Sequence, residues 1–262
     1  MPKVENGKII SHRQVAEDLW EMELEAPGIT AACEPGQFIH VRVGNENDPL
    51  LRRPLSLYDV NREAGIIRLL YKVVGQGTRL LTKLAVGDFL DVMGPLGRGF
   101  TLPGKPCSVV LVGGGVGIAP LVYLARRLKA LECKVTVLYG VVNKEQLAAI
   151  EKLESMEVDC LPATADGSAG YKGLVTGLLQ DELKENRFDY VYTCGPEPMM
   201  AAVARLAREH SLPGEVSLEE AMACGVGACL GCARKLKDES EVYVKVCKDG
   251  PVFNLDQVEI YK

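Results

Sequence analysis

The chain has 262 residues, enough for two or three domains, with 47% hydrophobic residues to fill their cores and 25% charged residues for their surfaces. A net charge of −5 at pH 7 excludes the basic footprint of a nucleic-acid-binding protein. Nine cysteines in no disulfide-framework pattern, after a polar start (Met1-Pro-Lys-Val-Glu-Asn), predict reduced thiols in a cytoplasmic protein without an export signal.

From Lys8 to about Leu102, short apolar runs alternate with Gly, Pro and Asn/Asp turns. Leu19–Leu24, Phe38–Val43, Ile66–Tyr71 and Phe89–Val92 read as strands with no long helical period between them, which predicts an antiparallel β-barrel over residues 1–102. Two motifs lie in it, Leu51-Arg-Arg-Pro-Leu-Ser56 and Leu70-Tyr-Lys-Val-Val-Gly-Gln-Gly-Thr78. Arg53 offers a planar fork to a phosphate and Ser56 a hydroxyl to a ring atom. Gly75, Gly77 and Thr78 have the look of a helix entry whose N–H groups and hydroxyl suit a pyrophosphate. Taken alone, the same residues fit a surface Arg pair ahead of a Pro turn and an ordinary capped helix.

The longest apolar run, Cys107 to Ala125, approaches the about twenty residues of a membrane span. Gly113-Gly114-Gly115 and Pro120 divide it instead into a strand, a loop and a helix start. Over residues 103–211 strands alternate with helices: Val109–Gly113 then Ala119–Leu131, Val135–Tyr139 then Lys144–Met156, Tyr190–Thr193 then Pro198–His210. That alternation predicts a parallel α/β sheet. Gly113, Gly114, Gly115 and Gly117 form the turn from buried strand to helix, where a dinucleotide phosphate meets helix N–H groups, although the spacing departs from G-x-G-x-x-G. Tyr192-Thr-Cys194-Gly195-Pro196 places Cys194 at the carboxyl end of a buried strand, the side on which open α/β sheets bind ligands. A buried structural thiol is the other reading of Cys194. The polar, Gly-rich stretch from Thr164 to Val175 lies in reach of the same crevice.

Residues 212–262 carry Cys224, Cys229 and Cys232 in the spacing C-x4-C-x2-C, and fourteen intervening residues separate Cys232 from Cys247. A tight triplet plus a distant fourth thiolate is the ligand pattern of a plant-type [2Fe–2S] cluster. The residues between the ligands are nearly all Gly or small, as a loop wrapped round an inorganic core requires. Zinc prefers two close pairs, and only Cys229 and Cys232 form one here. Disulfides lack a reason in a reducing compartment, and inert thiols lack a reason for the spacing.

Together these motifs resemble the ferredoxin–NADP reductase superfamily. Arg53-Pro54-Leu55-Ser56 is similar to its flavin signature, Gly113 to Pro120 to its nucleotide turn, and Cys194-Gly195-Pro196 to its nicotinamide-side motif. The C-terminal cysteine segment narrows the resemblance to the electron-transfer subunits of two-subunit, NAD-linked dihydroorotate dehydrogenases. The resemblance implies a multi-domain chain: a flavin barrel, an NAD domain and a small cluster domain. It implies that Arg53–Ser56, Leu70, Tyr71, Lys72, Gly77 and Thr78 contact FAD. Gly113, Gly114, Gly115, Gly117, Pro120, Gly195 and Pro196 would serve NAD, Cys194 would be the catalytic residue, and the four cysteines would hold the cluster. It also implies a partner, an FMN-containing catalytic subunit that oxidises dihydroorotate in pyrimidine (UMP) biosynthesis, assembled as two copies of each subunit, with neither membrane nor nucleic acid involved. A second redox reading is a reductase subunit serving ferredoxin or another acceptor. Its relatives carry a motif closer to Arg-x-Pro-Leu-Thr, and Ser56 leans away from it. After Tyr139 the sequence Gly-Val-Val-Asn-Lys-Glu145 offers only Lys144 to a 2′-phosphate, which favours NAD over NADP. Ala221-Met222-Ala223, apolar and beside the first ligand, is the expected contact surface for the partner.

Overall fold

A computed structural model describes residues 2–44, 48–237 and 242–260. In the first hundred residues six strands close on themselves: β1 (Lys3–Ala16), β2 (Leu19–Glu25), β3 (Phe38–Arg42), β4 (Arg53–Asn61), β5 (Ile66–Lys72) and β6 (Phe89–Leu96). All pairings are antiparallel in the order β1-β2-β5-β4-β3-β6, and β1 returns to β6, so the barrel has no free edge. Alternate side chains fill it, among them Ile9, Met22, Leu24, Ile39, Val41, Leu57, Ile67 and Leu69, all fully buried. Two short helices, α1 (Pro27–Thr30) and α2 (Gln76–Leu81), lie in its connections.

Next come β7 (Ser108–Gly114), α3 (Ala119–Lys129), β8 (Lys134–Val141), α4 (Ile150–Glu154) and β9 (Asp159–Thr164). They are followed by β10 (Tyr171–Lys172), α5 (Val175–Glu185), β11 (Tyr190–Cys194), α6 (Glu197–Glu209) and β12 (Gly214–Ser217). The cysteine segment adds β13 (Ala233–Lys235), β14 (Tyr243–Lys245) and β15 (Val252–Asn254). The central sheet runs β10-β9-β8-β7-β11-β12-β15, parallel throughout except that β15 joins β12 antiparallel. Val109, Val110, Leu111 and Val112 of β7 are all fully buried, as expected of a strand covered on both faces.

The expected helix over Lys144–Met156 is broken in two, a single 3-10 turn at Lys144–Gln146 and the short α4. Gln146 causes the break. Its carbonyl accepts from the Tyr139 hydroxyl at 3.1 Å and its side-chain oxygen from the Val142 amide at 3.3 Å, which draws the chain off the helical path at Leu147 (φ −77, ψ 46).

Two ionic clusters tie the parts together. Asp59 of β4 is fully buried between Arg68 of the barrel (3.2 Å), Arg126 of α3 (2.8 Å) and Lys152 of α4 (3.2 Å). The Arg126 contact is an ion pair without hydrogen-bond alignment, since Asp59 Oδ1 has no bonded donor. Arg234 of β13, 2% exposed, pairs with Glu197 at the start of α6 (2.5 Å) and with Glu220 (2.6 Å).

Candidate functional site

The motifs converge on two neighbouring cavities and one loop. The first cavity, about 490 Å³, opens between the barrel and the sheet. Arg53, Pro54, Leu55 and Ser56 reach it from the start of β4, Leu70, Tyr71 and Lys72 from the end of β5, and Thr78 from α2. Gly77 is not in the wall. It lies beneath Arg53, whose guanidinium occupies the space that a Cβ at residue 77 would need. Thr78 fixes the turn before α2, its hydroxyl accepting from the amides of Val74 (3.0 Å) and Gly75 (3.2 Å). Tyr71 is buried and bonded at 2.8 Å to the ring of His12; burial pushes its hydroxyl far above the ordinary tyrosine value. Among the described residues neither Arg53 nor Lys72 forms an ion pair; both border the cavity, whose opposite wall carries the carboxylates of Glu219 and Glu220. An apolar slot with unpaired cations at its mouth fits a flavin with a phosphate tail.

The opposite wall comes from Ser217 to Met222, the segment running from β12 to the first cysteine ligand. Glu219 is exposed and borders this cavity, and desolvation by the surrounding protein raises its carboxyl. Met222 is 8% exposed and packed into the same wall. The expectation that Met222 belongs to an outward contact surface is therefore corrected: the apolar side chain next to the ligands faces the cavity. Exposed apolar groups next to the exposed Cys229 include Val226 and Leu230.

The second cavity, about 450 Å³, lies at the carboxyl end of the parallel strands. Gly114, Gly115 and Pro196 border it, joined by Gly140, Gln146, Val175 and Met199, while Lys72 borders both cavities. Gly113, Gly117, Gly195 and Pro120 stand behind this wall. Gly117 abuts the backbone of Cys194 and Gly195 too closely for any Cβ, and Gly195 (φ +152) presses on Gly114. Pro120 is buried in the first turn of α3. Cys194 is buried beneath the two cavities and lines neither. Burial pushes its thiol well up, Glu219 adds to that, and the Ser217 hydroxyl pulls the other way.

In the cysteine segment, Gly225 (φ +69) and Gly227 (φ +83) curl the chain so that its amides face the sulfurs. Val226 and Ala228 donate to Cys224 Sγ at 3.5 and 3.3 Å, and Gly227 to Cys247 Sγ at 3.1 Å. Gly231 donates to Cys229 Sγ at 3.4 Å, and the Cys247 amide to Cys232 Sγ at 3.4 Å. Against the upward push of burial, the Val226, Cys229 and Ala228 donors hold the Cys224 thiol at about 6, in the thiolate range. All four cysteines are free thiols, and burial together with the neighbouring Cys232 pushes the Cys247 thiol up to about 12. Among the described residues no three His, Cys, Asp or Glu side chains converge as a single metal ion requires. Four cysteines whose sulfurs accept from a nest of backbone amides suit the sulfur ligation of an iron–sulfur cluster.

Family models match in the same three places. An oxidoreductase FAD-binding domain covers residues 6–100, an oxidoreductase NAD-binding domain 111–205, and the iron-sulfur cluster binding domain of dihydroorotate dehydrogenase B 219–259. The dihydroorotate dehydrogenase B (NAD(+)) electron transfer subunit of Desulforamulus reducens is 44% identical over 98% of this chain and 99% of its own length. The chain belongs to the family of dihydroorotate dehydrogenase B electron transfer subunits. The member from Fusobacterium nucleatum is 35% identical over 98% of this chain and 99% of its own. Among solved structures, an NADH-dependent reduced ferredoxin-NADP oxidoreductase described for flavin-based electron bifurcation superposes with a TM-score of 0.88 at 33% identity, over 97% of this chain and 90% of that one. A cytochrome P450 reductase from Amycolatopsis gives 0.67 at 26%, over 80% and 66%. As a member of this family the chain is an oxidoreductase subunit with FAD-, NAD- and iron–sulfur-binding domains, and none of its described helices is long and apolar enough to cross a membrane.

The wall residues that sequence reasoning missed are chiefly Phe38 and Ser217–Met222. A signal for the latter existed. A chain leaving the sheet beside Cys194 and heading for Cys224 must cross the carboxyl edge of the strands, where ligands sit.

Proposed function

We propose that this chain is the electron-transfer half of an NAD-dependent dihydroorotate dehydrogenase serving pyrimidine (UMP) biosynthesis in the cytoplasm, joined two-to-two with an FMN-containing catalytic subunit. Residues 1–102 hold FAD, 103–211 NAD and 212–262 a [2Fe–2S] cluster. The flavin, which exchanges one electron with a cluster and a hydride with a nicotinamide, links the partner's electrons to NAD+.

The chain's own residues support such a line of groups. The observation that carries the reading is the shared wall: Ser217–Met222 bounds the flavin cavity and continues directly to Cys224. On the far side Lys72 stands between the flavin cavity and the nucleotide cavity. Arg53 neutralises a phosphate, Ser56 and Thr78 supply hydroxyls, and Leu55, Leu70 and Tyr71 exclude water. Gly114 and Gly115 let a nucleotide approach the sheet. Pro196 borders the nucleotide cavity, and the buried Cys194 and Gly195 would support that wall from behind. Exposed Cys229, with Val226 and Leu230 around it, marks the face through which electrons enter.

Co-purification from the native host tests the reading. The expected result is a co-eluting FMN protein and a complex that reduces NAD+ with dihydroorotate. A partner-free chain turning over ferredoxin but not dihydroorotate would overturn it.

A further inference from the structure

His40 is fully buried on β3, and among the described residues neither ring nitrogen has a hydrogen-bond partner. The Arg52 carbonyl acts on the ring electrostatically but lies outside hydrogen-bond geometry. A buried imidazole left so is costly unless a group other than protein satisfies it.

Its neighbours show where that group lies. In the β3–β4 register His40 stands opposite Pro54, next to the flavin-side residues Arg53 and Leu55. Phe38, on the same face of β3, borders the flavin cavity and meets the imidazole edge-on, with centroids 6.3 Å apart. On its other side the ring lies against Gly225, where a Cβ would stand only 2.6 Å from His40 Nδ1. Gly225 directly follows Cys224, so the cysteine loop closes over the imidazole at a residue that tolerates no side chain. The loop's own donors to sulfur are backbone amides. Whatever its tautomer, the imidazole adds at least one further N–H.

The geometry points to His40 as a positioning residue of the iron–sulfur centre, a donor from the flavin barrel that bonds a sulfur of the centre and raises its reduction potential. The inference rests on the cluster assignment proposed above. The reduced centre carries one more negative charge than the oxidised one, so an N–H on sulfur favours reduction. The same contact holds the cysteine loop against the barrel strand that precedes the flavin motif.

The test is an EPR-monitored redox titration of the full-length chain carrying FAD and cluster, with iron and acid-labile sulfide quantified in each sample. At full iron content His40→Leu is expected to shift the one-electron equilibrium against cluster reduction by about tenfold, which is 59 mV for a one-electron couple. His40→Asn, which keeps an N–H near the Nδ1 position, recovers more than half of that shift, and the flavin couple stays unchanged in both variants. An unchanged cluster couple in His40→Leu, or an equal shift of the flavin couple, overturns the inference. Should the variants lose their cluster, the wild-type protein labelled with 15N-histidine decides by pulsed EPR. The chain has only three histidines, and His12 is engaged by the Leu84 carbonyl and the Tyr71 hydroxyl. A 15N coupling on the reduced centre supports the assignment, and its absence overturns it. Wild-type protein without iron and sulfide removes the cluster assignment itself.

Discussion

Replacing Asp59 with Ala tests what fixes the barrel against the α/β sheet. The carboxylate is fully buried and faces Arg68, Arg126 and Lys152, whose side chains are 24%, 37% and 33% exposed. Removing one partner of a buried ion pair costs about 3–5 kcal/mol because the remaining charge is stranded. Here the stranded cations reach water, so the lower end applies. An independent count gives a similar figure. The aligned Arg68 bond contributes about 1.5–3 kcal/mol, and the two remaining ion pairs up to about 1 kcal/mol each. A loss of about 3 kcal/mol in a chain of this size corresponds to a fall in Tm of roughly 6–12 °C. Differential scanning calorimetry of the FAD-loaded chain measures it, with Arg13→Ala as control. Arg13 is 66% exposed and pairs with Glu21 at 3.4 Å, so its removal should cost under about 0.5 kcal/mol. If the Asp59→Ala midpoint stays within the control's range, the carboxylate does not hold the two parts together and the reasoning fails.

Three further outcomes are expected. Arg53→Ala loses a charge-assisted contact of about 1.5–3 kcal/mol, so FAD should dissociate roughly 10- to 150-fold more readily in equilibrium dialysis; undiminished retention removes Arg53 from the flavin site. Cys229→Ser should abolish the cluster's EPR signal while FAD content and NADH–dye reduction persist, and joint loss of flavin would argue that the sites are not separate. Glu215 is buried beneath the Thr101 amide (2.9 Å) and hydroxyl (2.7 Å), and burial outweighs those donors to raise its carboxyl above the ordinary 4.5. The folded state therefore holds that proton more tightly than the unfolded chain. Its contribution is complete below pH 4.5 and fades as pH rises through the folded value. Glu215→Gln should flatten that decline in urea midpoints taken at about pH 5 and pH 8, and parallel curves would count against it.

Much of the arrangement was legible from local patterns. The barrel, the parallel sheet and the cysteine loop each follow from a short-range signal: period-two alternation, strand–glycine–helix order, and ligand spacing. Eight residues chosen from the two flavin-side motifs, Arg53 through Ser56, Leu70 through Lys72, and Thr78, border one cavity. What stayed hidden depended on distant contacts. The break in the helix after Asn143 is set by the Tyr139 hydroxyl, which no helix propensity encodes. Pro162 inside β9 argues against a strand on local rules, and pairing with β8 overrides it. Met222 reads as contact surface because it is apolar and beside the first ligand, and only the fold shows that its side chain turns inward.

β15 carries a different message. It comes from the far side of the cysteine loop, yet it supplies the last strand of the nucleotide sheet and screens the backbone groups of β12. An exposed parallel edge invites pairing with other chains. Deleting everything after His210 would thus remove β12 along with the iron-binding loop and leave β11 as a bare, sticky rim. A trimmed two-cofactor reductase made by simple truncation would therefore carry an unscreened sheet margin.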